Sequence, residues 1–89
     1  MPQAVVDPEE LREFARSLAK FNNDLRDRSR SLANRLAALS TSWRDQEHAK
    51  FVQQFEDGMK MIGRFLENNE RHVPYLVRKA ETIEEYLKS

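Results

Sequence analysis

The chain predicts an all-α fold, an antiparallel hairpin of two long helices, and three observations carry that reading. Among its 89 residues only two are Gly and three Pro, while 34% are charged, a composition suited to a highly helical soluble protein. Apolar residues recur at steps of three and four along two long stretches. Between those stretches lies one short break, Ser40-Thr41-Ser42-Trp43-Arg44-Asp45, which holds the only tryptophan of the chain.

The first helix is expected over about residues 8–39 of a single domain spanning 1–89. Its start reads Asp7-Pro8-Glu9-Glu10, an N-cap acid, a proline at the first helical position and two acids that suit the unpaired amides and the helix dipole. From there Leu11, Leu18, Leu25, Leu32 and Leu39 repeat every seven residues. Phe14, Ala15, Phe21 and Leu36 lie beside that line and give the apolar face the width of a bundle helix. Arg28 and Ser29 weaken the middle of the seam.

A turn is expected at about 40–44 and the second helix at about 45–88. Val52, Phe55, Met59, Ile62, Leu66, Asn69, Val73, Leu76, Ala80, Ile83 and Leu87 alternate steps of three and four, and only Asn69 among them is polar. Phe51, Gly58, Phe65, His72, Lys79 and Tyr86 form a flank at multiples of seven, so the apolar face is wider than one facing helix can cover. Pro74 removes an amide donor inside this pattern, at a typical cost of ~3 kcal/mol in a helix interior. Because the register continues through it unshifted, a helix kinked near Pro74 is favoured over a third helix beginning at Asn68-Asn69. Two such helices make rods on the order of 50 and 65 Å long.

Composition also excludes functions. Basic and acidic residues balance at 15 each, so no net field draws the protein to nucleic acid or an anionic membrane. Arg26, Arg28, Arg30 and Arg35 are interleaved with Asp24 and Asp27 and lack an aromatic platform, which reads as a solvated helix face. No stretch approaches the ~20 apolar residues of a membrane span. The N-terminal residues show no basic segment followed by an apolar core, so the chain is expected to be made in the cytoplasm without a signal peptide. Without cysteine it has no staple, and a core of this size seldom supplies more than roughly 3–5 kcal/mol, which points to a partner as a source of stability.

No constellation for chemistry is visible. His48 and His72 stand 24 residues apart with no second histidine at helical metal spacing. Asp45 and His48 suggest a structural hydrogen bond at the turn. There is no Gly-rich phosphate loop and no nucleophile elbow, so no catalytic, cofactor-binding or metal-binding residue is assigned, and the protein is read as not an enzyme. The residues expected to make the core or an interface are Leu11, Phe14, Leu18, Phe21, Leu25, Leu32, Phe51, Phe55, Gly58, Met59, Ile62, Phe65, Leu66 and Leu76. Gly58, between two phenylalanines of the flank, would let another helix come close.

A short chain with a Trp-bearing turn between two amphipathic helices resembles the WXG family of type VII secretion substrates, the early-secreted-antigen type of helical hairpin. The resemblance spans nearly the whole chain. Its turn motif, Trp-any-Gly, appears here as Trp43-Arg44-Asp45, with Asp45 at the glycine position; Asp can start a helix by capping it. The family's C-terminal signature, Tyr followed four residues later by an acid, reads Tyr75 and Lys79 here. The resemblance implies two hairpins joined in a four-helix bundle, as a homodimer or a heterodimer with a paralogous hairpin, and export through secretion machinery by a type VII-like route. From the residues alone, an intracellular coiled-coil adaptor or scaffold that takes a helix beside Phe51 and Phe65 stands as the alternative, with a lipid-binding bundle as a more distant one.

Overall fold

A computed structural model describes residues 6–88; Met1 to Val5, where the signal-peptide reading falls, and Ser89 lie outside the described residues. Two helices, α1 (Pro8–Leu39) and α2 (Gln46–Lys88), fold back on each other as a hairpin measuring 66 × 21 × 14 Å. At α1's start the Asp7 carboxylate accepts a hydrogen bond from the Glu9 amide at 2.9 Å, and Pro8 occupies the first turn, where its missing N–H costs nothing. α2 runs through Pro74 as one helix. No described helix is long and apolar enough to cross a membrane.

The two helices meet along one stripe each. On α2, every position of the three-four series from Val52 to Ile83 is buried or half-buried, and Leu87 at the end is exposed. On α1 the stripe is Leu11, Ala15, Leu18, Asn22, Leu25, Ser29 and Leu36. Ser29, the weak point of the heptad line, is half-buried, while Leu32 is exposed. Among the described residues only Ala15, Leu66 and Ala80 make up the buried apolar core.

At the middle of the seam two asparagines meet. Asn22 and Asn69 are both buried, and the Asn69 side-chain amide donates to Asn22 Oδ1 at 3.1 Å. A buried polar group without a partner costs about 1–3 kcal/mol, so each of these residues depends on the other being opposite it. Asn22 Nδ2 finds no acceptor. The pair therefore weakens the core while identifying one register.

The seam has two unlike edges. Along one, Arg12 pairs with Glu84 near the open end and Arg26 with Glu70 near the middle. Along the other, Phe21 meets Phe65 edge-on with ring centroids 6.2 Å apart. Hydrogen bonding to Arg12 holds the Glu84 carboxyl below its ordinary value of 4.5, against a smaller opposing effect of desolvation, and Glu84 in turn raises Arg12.

Two expectations follow. Asn69→Ala should destabilise the hairpin by about 1–3 kcal/mol in urea unfolding, because Asn22 keeps its burial and loses its partner, whereas Asn22→Leu with Asn69→Leu should recover that loss. Glu84→Gln should lower the melting temperature slightly at pH 7, since the pair is partly exposed. A depressed carboxyl contributes stability above its unfolded value and loses it as pH falls through the folded one. The difference between wild type and Glu84→Gln should therefore vanish in melts taken well below pH 4.5.

Candidate functional site

The turn is closed by backbone amides and side chains together. α1 ends with no basic residue in its last turn, and its last carbonyls accept from the amides that follow, Ser40 to Leu36 at 3.0 Å, Thr41 to Ala38 at 3.2 Å, and Ser42 and Trp43 to Leu39 at 3.1 and 3.0 Å. Three consecutive hydroxyls donate to the same carbonyls: Ser40 to Leu36 at 2.9 Å, Thr41 to Ala38 at 2.8 Å and Ser42 to Leu39 at 3.3 Å. The Arg44 guanidinium folds back and donates twice to the Thr41 carbonyl, at 3.1 and 2.8 Å. Asp45 stands just before α2, and its carboxylate accepts from the His48 amide at 3.0 Å, which caps the helix.

Trp43 is half-buried. Its ring lies 5.0 Å from His48 in a T-shaped contact and 5.8 Å from Phe51, which continues to Phe55 at 6.2 Å. His48 Nε2 is 2.7 Å from Ser40 Oγ. Since that hydroxyl gives its one hydrogen to Leu36, it accepts from the imidazole, which ties the first turn of α2 to the last turn of α1. The turn is thus an aromatic plug, held by hydrogen bonds on both sides. Among the described residues no group of three or more His, Cys, Asp or Glu gathers as metal ligands would.

The remaining large apolar side chains are on one face. Phe14 and Phe21 are 58% and 48% exposed on α1, and Phe51 and Phe65 are 44% and 48% exposed on α2. Leu32, Leu39, Met61, Tyr75 and Tyr86 are exposed too. Phe21 touching Phe65 fixes which side of the hairpin this is, and heptad spacing carries Phe14, Phe51 and Tyr86 along it; Met61 stands one turn before Phe65. A Cβ at Gly58 would meet nothing within 4 Å, so the notch at Gly58 opens outward and serves no contact inside the hairpin.

Of the other residues singled out, Leu66 is buried, and Leu11, Leu18, Leu25, Phe55, Met59, Ile62 and Leu76 are half-buried along the seam. Ala15 and Ala80, which belong to the apolar patterns of the two helices, are buried as well, and so is Asn22, which no pattern had included. The signal for Asn22 was the step of four and three around the leucine line, 11, 15, 18, 22 and 25. Within the basic stretch, Arg26 and Arg30 find Glu70 and Asp27, and Arg28 and Arg35 have no carboxylate within 4.0 Å among the described residues.

A family model described as proteins of 100 residues with WXG matches residues 3–86. The chain belongs to the WXG100 family. Searches of curated proteins and of solved structures returned no match. Membership suggests a small secreted helical protein of type VII secretion, and members of the family commonly form dimers and work with secretion machinery. In this WXG100 chain the residue two places after Trp43 is the helix cap Asp45. Asp45→Ala should accordingly cost about 0.5–2 kcal/mol in thermal or urea unfolding, while Asp45→Gly should cost only a few tenths.

Proposed function

We propose that this protein is a non-enzymatic cargo or export partner of a type VII-like secretion system, and that it acts by pairing its aromatic face with a second hairpin to form a four-helix bundle. The observation that supports this reading is the surplus of apolar surface on one side. The chain exposes 7053 Å² at 10.5 kDa, against about 5,400 Å² for a compact monomer of that mass. Large apolar patches confined to one face mark an interaction surface. Covering Phe14, Phe21, Phe51 and Phe65 would complete a core that the hairpin lacks. Gly58 would admit a close helix, and a bend at Pro74 would fit α2 to its neighbours. Trp43 and Asp45 act as structure at the turn, with Trp43 also presenting part of a surface to a partner or to the machinery.

The competing role as an intracellular adaptor would use the same face but leave the protein inside the cell. In the producing organism, the wild-type chain should appear in the culture medium and be retained when the membrane-bound secretion ATPase is deleted. Phe14→Asp with Met61→Asp, two exposed positions outside the seam, should leave the helical circular dichroism intact and abolish release. Strict retention of the wild-type chain in cells that secrete their other type VII substrates would refute the cargo reading.

A further inference from the structure

On the edge of the seam that carries the ion pairs of Arg12 with Glu84 and Arg26 with Glu70, a cavity of about 220 Å³ opens beside Pro74. Its walls are Ala19, Asn22 and Asn23 of α1 and Glu70, Val73 and Pro74 of α2. Two polar groups at this cavity have unmet hydrogen-bonding capacity, and they are of opposite kinds. Asn22 is only 3% exposed; its Oδ1 takes the Asn69 amide, and its Nδ2 has no acceptor among the described residues. Pro74 has no N–H, so the helical hydrogen bond that would end on the Glu70 carbonyl, four residues back, cannot form even though α2 continues as a helix through it. Helix carbonyls point along the axis towards the residue four places on, which sets this one between Glu70 and Pro74, two residues of the cavity wall. α1 thus brings a spare donor and α2 a spare acceptor to one space.

We infer that this cavity is a binding site for a structural water, which accepts from Asn22 Nδ2, donates to the Glu70 carbonyl and so joins the two helices at Pro74. Both groups are neutral, and the Glu70 carboxylate is already engaged by Arg26, so neither an anion nor a cation suits the site. A water needs two to four polar partners and about 30 Å³, which this space supplies. The carboxamide torsion of Asn is soft, so a small turn brings Nδ2 to the cavity while Oδ1 keeps Asn69. Glu70 and Pro74 are exposed at the mouth, which leaves the water a route of exchange with solvent. A bridging water is nearly as good as a direct hydrogen bond and offsets part of the cost of the buried amide and of the missing helical bond. The asparagine in the seam and the proline in the helix, each unfavourable alone, compensate one another through it.

The test is magnetisation transfer from water to the Asn22 side-chain amide in nuclear magnetic resonance spectra of the full chain, recorded at mildly acidic pH to slow amide exchange. Wild type should show cross-peaks whose NOE and ROE have opposite signs, the mark of a water that tumbles with the protein, and the exposed Asn34 should not. No residue of the cavity wall carries a hydroxyl that could relay the signal. Pro74→Ala returns an amide to the Glu70 carbonyl, so the water keeps one partner and the Asn22 signal should fall by about half or more. Ala19→Leu fills the cavity and should abolish the signal while circular dichroism stays helical. A wild-type chain without the cross-peaks overturns the site, and an undiminished signal in Pro74→Ala overturns the bridge to Glu70. Pro74→Ala removes a helix breaker and keeps the test decisive should Ala19→Leu unfold the hairpin.

Discussion

A hairpin of two helices can bury one stripe of each helix and no more, and the rest of this structure answers to that constraint. Each helix here carries an apolar face wider than a stripe. Where the two meet, Leu66 and two alanines are all that become buried among the described apolar residues. The phenylalanines cannot join them, because rotating either helix to cover Phe14 or Phe51 would expose the leucines or the Val52 to Ile83 series. The surplus is thus a consequence of covalent spacing rather than of poor folding. The surplus lies on the side where Phe21 meets Phe65, and the opposite edge is closed by Arg12 with Glu84 and Arg26 with Glu70.

The turn solves a local version of the same problem. Six residues must end one helix, reverse the chain and start another without a core of their own. Backbone amides from Ser40 to Trp43 and the hydroxyls at 40, 41 and 42 share the last carbonyls of α1, and Asp45 satisfies an amide that α2 leaves open. With an acid capping α2, the chain does not need the backbone freedom of a glycine at position 45. Trp43 then has a structural reason to be large. It packs edge-on against His48 and at a tilt against Phe51.

Much of this was legible in the residues. Asp7-Pro8 announced a cap that the Glu9 amide occupies, and the three-four series of α2 is the series that faces α1. Periodicity works here because a long helix offers its neighbour one register of positions, and apolar residues at that register have few other uses. Asn22 escaped notice for the converse reason. Beside Asn23 and Asp24 it looks like part of a solvated run, and nothing local says that its partner is 47 residues away.

The asparagine pair connects these levels. Slipping α1 along α2 by one heptad would set Asn22 against Leu76 or Ile62 and bury two amides without partners. The same slip would part Phe21 from Phe65 and take Arg12 and Arg26 away from their glutamates. A core made only of leucine and valine would tolerate such slips far better, because apolar contacts are alike at every heptad. Asn22 and Asn69 give up some stability at the centre, and the unpartnered Asn22 Nδ2 shows that even this register leaves a cost. In return the outer face holds one arrangement of its aromatic side chains, with Phe21 set against Phe65 and no slipped register in which both contacts survive.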